Sequence, residues 1–212
     1  MFSLSYYIMN DYYYKKYLKY KTKYINMLVY AYDFDGVIHK LMSKTQPIDA
    51  DHRSPDNKLL RENKDDFSFL KNHLFEKTID DIKRAQRRGI KVKIVSANYN
   101  EYKNAIFDLL NSIDGIKINM DDIHMRVSPK DQKLKELKVT KFIDDSCYNI
   151  RTLHKAKQNN RLPLLRELIW TIPEYEEFYN IDLNEELLLG RGKDWFNKAR
   201  KGLLKGVKLI KN

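Results

Sequence analysis

The sequence has very little cysteine and no long run of apolar residues. Cys147 is the single cysteine in the chain, which excludes an internal disulfide and a cysteine-rich zinc site. No stretch is apolar enough to predict a conventional membrane-spanning helix. The first residues also lack a clean apolar run with a small-residue cleavage site, so we expect no secretory signal. These absences together predict a soluble intracellular, cytoplasmic protein.

Acidic residues are fewer than basic ones. Forty lysines and arginines stand against 29 aspartates and glutamates, which gives a formal net charge of +11. Such an excess favours a polyanionic partner, namely nucleic acid, an anionic membrane face or a phosphorylated substrate, without specifying which. The chain of 212 residues is long enough for a sizeable core and fits one domain with additional segments.

Residues 1–26 form a tyrosine- and lysine-rich segment that we predict to be a helix. Ten of the fifteen tyrosines fall between Tyr6 and Tyr32. Two interpretations of this segment are open: the tyrosines pack on the domain or on a second copy, or nucleobases stack on them beside the lysines. In composition, the segment resembles leader segments of large nucleocytoplasmic DNA virus proteins, and a viral origin would imply host cytoplasm or virion. Helical spacing would put five tyrosines and a methionine on one face: Tyr6, Tyr13, Tyr17, Tyr20, Tyr24 and Met27.

Residues 27–160 alternate between short β-prone runs and amphipathic helical patterns. This alternation predicts an α/β domain with a parallel sheet. Residues 39–72 are polar and predict a long loop or small flap. Strands are predicted at 27–32, 90–95, 123–127 and 139–143, and helices at 75–88, 101–111 and from 130 to 137.

Residues 161–212 have a helix-rich pattern, and we predict a basic helical extension there. Within 191–212, apolar residues form one helical stripe and lysines face away from it. Such a helix can lie on an anionic membrane surface, follow a phosphate backbone or dock on the domain. Because Gly202 and Gly206 each cost about 1 kcal/mol of helix propensity, they weaken this prediction.

Polar side chains follow the predicted strands where the strands end. The carboxyl ends of parallel strands open on one edge of the sheet, so distant residues can meet there. A carboxylate can attack phosphorus, a second can transfer protons, and a hydroxyl and a lysine can hold phosphoryl oxygens. Clustered carboxylates also suit a hard divalent cation, and we expect Mg²⁺. The residues concerned are Asp33 and Asp35, Ser96, Lys130, and Asp144 and Asp145.

These clusters resemble the four ordered motifs of the haloacid dehalogenase-like (HAD) superfamily. The matching segments are Tyr32-Asp33-Phe34-Asp35-Gly36-Val37-Ile38, Ser96 after Lys93-Ile94-Val95, Lys130 in Ser128-Pro129-Lys130, and Phe142-Ile143-Asp144-Asp145-Ser146. The resemblance covers about residues 27–150. It implies a three-layer, Rossmann-like α/β fold and a Mg²⁺-dependent phosphatase that acts through an aspartyl-phosphate.

The resemblance also implies a role for each matching residue. Asp33 would be the nucleophile and Asp35 the general acid and base, and an acid at position 35 favours phosphatase over dehalogenase chemistry. The metal would lie between Asp33, the backbone carbonyl of Asp35 and Asp144, with Asp145 bound through water or orienting its neighbours. Ser96 and Lys130 would hold the phosphate. Apart from the resemblance, we also expect phosphate contacts from Ala97 and Asn98, because they directly follow Ser96.

Specificity in this family comes from cap segments, and this chain has room for little or no cap. Only 33 residues separate Ser96 from Lys130, and the polar residues after Asp35 are poor in apolar positions. An open cleft suggests a bulky substrate such as a nucleic-acid end or a phosphoprotein, unless the last helices form a lid. The alternatives are a small-molecule or nucleotide phosphatase and a non-catalytic polyanion-binding protein on a HAD scaffold. The sequence does not predict an oligomeric state.

Overall fold

The computed structural model describes residues 3–39, 67–172, 198, 201, 202, 204 and 206–211. The strands are β1 (Val29–Tyr32), β2 (Lys91–Val95), β3 (Ile123–His124), β4 (Lys141–Asp144), β5 (Glu167–Ile172) and β6 (Val207–Lys211). The helices are α1 (Ser3–Asn26), α2 (Phe67–Asn72), α3 (Glu76–Arg87), α4 (Lys103–Asn111), α5 (Asp131–Glu136) and α6 (Cys147–Gln158). Short 3₁₀ turns at Asn100–Tyr102 and Met120–Asp122 precede α4 and β3.

The six strands form one sheet in the order β3-β2-β1-β4-β5-β6, and every neighbouring pair is parallel. From β1 the chain runs outward through β2 to β3 and then returns to β4 on the other side of β1. In such doubly wound sheets the crevice at the reversal point, beyond the carboxyl ends of the strands, is the usual ligand site. The prediction of a Rossmann-like parallel α/β fold is confirmed.

Apolar side chains on both faces of the sheet hold helices against it. On one face, Tyr32, Ile94 and Ile143 belong to a buried cluster that includes the apolar residues of α3 and α4. On the other face, Ala31 and Phe142 belong to a second cluster that includes those of α5 and α6. Because successive strand residues point to opposite faces, strands buried on both sides need continuous apolar runs. The result is three layers, helix–sheet–helix.

Most elements of the predicted domain agree with the structure to within a few residues. The four predicted strands are present as β1 to β4, with β3 shorter than expected, and the helix expected over 75–88 is Glu76–Arg87. The sequence interpretation missed α2, which occupies the last residues of the expected loop over 39–72. Residues 40–66 of that loop lie outside the described residues.

The expectation of a helical extension over 161–212 is corrected at two places. Residues 167–172 form β5 and residues 207–211 form β6, and both strands extend the sheet beside β4. The helical stripe drawn through 191–212 cannot continue to its end, because Gly202 and Gly206 adopt positive φ angles of 67° and 81°. Bends and turns occupy 161–164, where the helical extension was expected to begin, and residues 173–197 lie outside the described residues.

The predicted N-terminal helix is confirmed as α1, but most of its described tyrosines do not pack on the domain. Tyr12, Tyr13, Tyr14, Tyr17 and Tyr20 are all exposed. Near the end of α1, Arg166 donates a hydrogen bond to the hydroxyl of Tyr24, and Ile25 packs against the core. Neither α1 nor any other helix in the described part of the chain has the length and hydropathy needed to cross a bilayer.

A buried histidine joins the segment after β1 to α2, and it makes stability depend on pH. His39 stacks on Phe34 with ring centroids 5.5 Å apart, and its Nε2 lies 3.1 Å from the carbonyl oxygen of Leu70. Burial lowers the pKa of His39 from 6.5 to about 4. The folded state therefore favours the neutral ring, so this contribution to stability is complete above pH 6.5 and is lost as the pH falls toward 4.

We expect His39→Gln to reduce the loss of folding stability that the protein shows as the pH falls. The histidine accounts for a loss of about 2 kcal/mol in the free energy of unfolding between roughly pH 7 and pH 5. Urea unfolding at both pH values measures this difference. The matched control is His73→Gln, at a partly exposed histidine whose ring lies 6.0 Å away. The charge of His73 contributes less than burial to the lowered pKa of His39, so this variant should keep most of the wild-type dependence. Equal dependence in His39→Gln and wild type would contradict the assignment.

Candidate active site and metal centre

The register of three central strands places the predicted site residues at one edge of the sheet. Tyr32, the last residue of β1, pairs with Ile94 in β2 and with Ile143 in β4. The residues that follow these positions therefore leave the sheet side by side. They include Asp33 after β1, Ser96 after β2, and Asp144 at the end of β4.

The turn after β1 holds the Asp33 carboxylate in place. The Asp33 backbone amide donates to the carbonyl of Ile143 over 2.9 Å, which extends the pairing of β1 with β4 by one residue. The Phe34 amide donates to the Asp33 carboxylate over 2.8 Å, so this side chain is held by its own turn. Phe34 is itself fully buried in the core. Asp35, two residues on, is half-buried at the mouth of this turn.

A buried ammonium group joins two of the acids. Lys130 Nζ donates to Asp33 Oδ2 over 2.5 Å and to Asp144 Oδ2 over 2.8 Å, although Lys130 lies 97 positions after Asp33 in the sequence. All three residues are buried. The ammonium also lies 5.4 Å from the ring centroid of Phe142. Lys130 immediately precedes α5 and follows a cis Ser128–Pro129 peptide bond.

Asp144 receives further hydrogen bonds from the start of α6. The Ser146 amide donates to Asp144 Oδ1 over 2.8 Å, and Asn149 Nδ2 lies 3.3 Å from Oδ1 and 3.1 Å from Oδ2. The Ser146 hydroxyl caps α6, because it accepts a hydrogen bond from the backbone N–H of Asn149. Both oxygens of Asp144 are therefore engaged. Sequence interpretation missed Asn149; the signal available was its position in the first turn of the helix after the Asp-Asp pair.

Asp145 differs from its neighbour because no described residue donates a hydrogen bond to its carboxylate. Its backbone carbonyl accepts from Trp170 Nε1 over 3.0 Å, which fixes its main chain beside β5. One carboxylate oxygen from each of Asp33, Asp144 and Asp145 lies within 4.8 Å of the others. Oxygen-only donors at this spacing suit a hard divalent cation such as Mg²⁺. These residues therefore fit a metal, and Asp145 offers the carboxylate least occupied by protein donors.

Burial and mutual repulsion change the pKa of the clustered groups. Burial raises the pKa of Asp33 to about 7; Lys130 opposes this increase, while Asp144 and Asp35 add to it. Burial raises the pKa of Asp145 well above its ordinary value, and the charges of Asp144 and Asp33 raise it further. Burial alone would lower the pKa of Lys130, but Asp144 and Asp33 raise it above its ordinary value. The three carboxylates carry more negative charge than the single ammonium of Lys130 can compensate. This excess favours the binding of a cation.

The segment after β2 forms the other side of the site. Ser96 is buried, and its hydroxyl accepts a hydrogen bond from the backbone N–H of Asn98 over 3.1 Å. Asn98 Nδ2 donates to Asp35 Oδ2 over 3.2 Å, which connects this segment to the turn after β1. Ala97 is exposed, and its side chain is a methyl group, so only its backbone can make a polar contact. The structure thus brings Asp35, Ser96 and Asn98 together beside the Asp33–Lys130–Asp144 group.

The chain between Ser96 and Lys130 builds core elements and no cap. It consists of α4, β3 and the turns around them, and apolar residues of both elements belong to the buried cluster. The expectations about a cap or lid also concern two other segments, residues 40–66 and 173–197. Both lie outside the described residues. Residues 191–197 of the predicted basic helix belong to the second segment.

Comparison with known proteins adds no assignment. No protein-family model matches the chain, and no curated protein matches it significantly. The arrangement itself offers a buried carboxylate that can attack an electrophile, a second carboxylate two residues away, a fixed ammonium and oxygen ligands for a cation.

We expect Lys130→Met to lower the free energy of unfolding by about 3 kcal/mol, because it leaves two buried acids without their counter-charge. Urea unfolding in the presence of a chelator measures this effect without a bound cation. The matched control is Lys133→Met, three residues away, which removes an exposed ion pair with Glu136 and should cost less than about 1 kcal/mol. Equal stability of the two variants would show that Lys130 does not hold the acids together.

Proposed function

We propose that this protein is a Mg²⁺-dependent phosphomonoester hydrolase that acts through a phosphorylated Asp33, as its HAD-like motifs imply. The observation that carries the proposal is the buried Lys130 ammonium between Asp33 and Asp144, with the Asp145 carboxylate close by. A structural ion pair needs one acid for one lysine. A surplus of buried acids beside a strand-end crevice instead fits a site that binds a cation and an anionic substrate.

In the first step, an oxygen of Asp33 attacks phosphorus and the bond to the substrate oxygen breaks. Asp35 gives a proton to the departing oxygen, so that the alcohol leaves neutral. The contact with Asn98 supports this role, because the side-chain Nδ2 of Asn98 donates a hydrogen bond to Asp35 Oδ2 and orients the carboxyl group. The Lys130 ammonium would neutralise charge on the phosphoryl oxygens, and the Ser96 hydroxyl would donate a hydrogen bond to them.

In the second step, water attacks the aspartyl-phosphate and Asp35 takes the proton of that water. Cleavage of the Asp33–phosphate bond releases inorganic phosphate and restores both carboxyl groups. A bound Mg²⁺ would reduce the repulsion between the acids and the phosphate. Asp33, Asp144 and Asp145 would hold it together with the backbone carbonyl of Asp35.

For the substrate, we propose a bulky phosphomonoester such as a nucleic-acid end or a phosphoprotein. The core elements between Ser96 and Lys130 support an open cleft, because they leave no cap at that position. The net charge of +11 favours a polyanionic substrate. Similar rates on mononucleotides and on oligonucleotide ends would instead indicate a small-molecule phosphatase.

Two substitutions separate the proposed roles of the acids. We expect Asp33→Asn to abolish phosphate release from every substrate, because no nucleophile remains. Asp35→Asn should lower turnover of alkyl phosphates by about 10²- to 10⁴-fold. An aryl phosphate with an acidic leaving group needs no proton in the first step, so Asp35→Asn should still release roughly one equivalent of phenol in a burst. Rapid-mixing absorbance with p-nitrophenyl phosphate and Mg²⁺ measures the burst.

The substrate panel for wild type contains p-nitrophenyl phosphate, mononucleotides, 3′- and 5′-phosphorylated oligonucleotides and phosphopeptides. No phosphate release from any of them with Mg²⁺ would contradict the enzyme proposal and favour a binding protein. Full activity of Asp33→Asn would contradict the nucleophile assignment alone. An Asp35→Asn variant without a burst on p-nitrophenyl phosphate would contradict the division of roles between the two acids.

Asp144 and Asp145 offer a matched pair for the metal. We expect Asp145→Asn to keep or raise stability without Mg²⁺, because it removes a buried charge that no described residue compensates by a hydrogen bond. Asp144→Asn should lower stability, because Lys130 and Asn149 lose an acceptor. Saturating Mg²⁺, at about 100 times its dissociation constant, should stabilise wild type by roughly 2.7 kcal/mol. Asp145→Asn should lose most of this gain.

Thermal unfolding with a chelator and with excess Mg²⁺ gives both quantities for each variant. The family resemblance implies direct ligation by Asp144, and the hydrogen bonds of the site favour Asp145. Full Mg²⁺ stabilisation of Asp145→Asn, together with its loss in Asp144→Asn, would assign the direct ligand to Asp144. No Mg²⁺ stabilisation of wild type would contradict the metal site.

A further inference from the structure

Helix α1 carries an exposed row of aromatic rings that the proposed catalysis does not use. Tyr13, Tyr17, Tyr20 and Tyr24 recur every three or four residues, so they share one face; we call them the tyrosine stripe. Between 47% and 59% of each of these residues is exposed. Large aromatic side chains in a continuous exposed row are an unusual surface for a protein and indicate a binding site.

The stripe lies between lysines, and no acid occurs within its span of the sequence. On the helical spacing, Lys16 and Lys23 flank one side of the stripe and Lys21 flanks the other. Lys21 Nζ is 5.8 Å from the ring centroid of Tyr17. No aspartate or glutamate occurs between residues 12 and 27. The surface thus combines flat aromatic rings with positive charge, and it complements a ligand with flat rings and negative charge.

A second copy of the chain is a poor occupant of this surface. The four-three-four spacing of the stripe matches the seam of a coiled coil, so pairing of two α1 helices has to be considered. In that pairing, Lys16 of one helix would face Lys21 of a parallel copy, and like charges repel. The seam would also enclose the tyrosine hydroxyls, which require hydrogen-bond partners when they are buried. Both features disfavour a homotypic coiled coil.

We propose that the tyrosine stripe binds single-stranded nucleic acid. Bases stack on the rings of Tyr13, Tyr17 and Tyr20, while the flanking lysines contact the phosphates. Stacking is tolerant of base identity, and it needs bases that are not already stacked within a duplex. Tyr24 serves a different purpose, because its hydroxyl accepts a hydrogen bond from Arg166 over 2.6 Å and fixes α1 to the domain.

This inference does not rest on the proposed phosphatase activity. Binding is measured with the full chain in EDTA, so the metal site takes no part. The probe is a fluorescein-labelled oligothymidine of about 15 nucleotides, within the range that single-strand binding surfaces cover. Fluorescence anisotropy gives the dissociation constant, and an unlabelled duplex of the same length serves as a competitor.

The decisive variant is Tyr17/Tyr20→Leu, and its matched control is Tyr12/Tyr14→Leu. Both pairs are exposed to the same extent, but the control pair lies about a quarter of a turn away on either side of the stripe. Leucine keeps the helix propensity and leaves the charge unchanged. We expect the stripe variant to weaken binding by about 10- to 100-fold and the control by less than about threefold.

Salt dependence separates stacking from charge. Lys16/Lys23→Gln should reduce the slope of log K against log salt by about 1.4, because each phosphate contact on a single strand contributes about 0.7. The stripe variant should keep the wild-type slope. Circular dichroism of each variant establishes that α1 remains helical.

Three results would overturn the proposal. Equal losses in the stripe and control variants would show that the position of the rings is irrelevant. Unchanged affinity in both would show that binding depends on lysines alone. Leucine strengthens a coiled-coil seam, so tighter self-association of Tyr17/Tyr20→Leu in sedimentation equilibrium, with unchanged oligothymidine affinity, would assign the stripe to a second copy.

Discussion

The site depends on one buried ammonium group, that of Lys130. It binds two acids, Asp33 and Asp144, that are far apart in the sequence. Moving a charge out of water costs several kcal/mol, and a buried ion pair recovers this only with good geometry and additional hydrogen bonds. The ion pairs of Lys130 with Asp33 and Asp144 have both the geometry and the additional hydrogen bonds. Each of the two acids also accepts a hydrogen bond from a backbone N–H. The pairing of β1 with β4 supplies the geometry, because it brings the two acids to the same edge of the sheet. Removing the ammonium would therefore disturb the strand ends as well as the chemistry.

The two adjacent acids at the end of β4, Asp144 and Asp145, differ in the hydrogen bonds that their carboxylates accept. Asp144 has its oxygens engaged by Lys130, Asn149 and the Ser146 amide, so it stabilises the fold without any ligand. Asp145 has no such donor among the described residues, and burial raises its pKa well above the ordinary value. An incompletely compensated buried carboxylate costs stability, and a bound cation would recover that cost. This asymmetry is a stronger argument for a metal than the number of acids.

Sequence patterns predicted the core of this fold because local and tertiary preferences agree there. The run before Asp33 is apolar and β-prone, and polar residues follow each central strand, so strands, helices and the shared edge could all be predicted. The pattern failed for Glu167–Ile172, since a short, mostly apolar segment of six residues carries too little periodicity to distinguish a buried strand from a helix. Its aromatic and β-branched residues favoured a strand. The position of Asn149 in the first turn of α6 indicates only that it lies near the Asp-Asp pair. It was missed because its contact with Asp144 also depends on the direction in which α6 leaves that pair.

The position of α1 determines how the two proposed sites can work together. The helix leads into the amino end of β1, whereas Asp33 follows the carboxyl end of the same strand. The length of the strand, about 13 Å for four residues, therefore separates the end of α1 from the catalytic edge. A nucleic acid held on the tyrosine stripe would not be oriented by the catalytic residues. It would instead be tethered, and tethering raises the local concentration of a phosphorylated end at the cleft without any new contact there. The stripe would then increase the apparent affinity for long substrates and leave the chemical step unchanged.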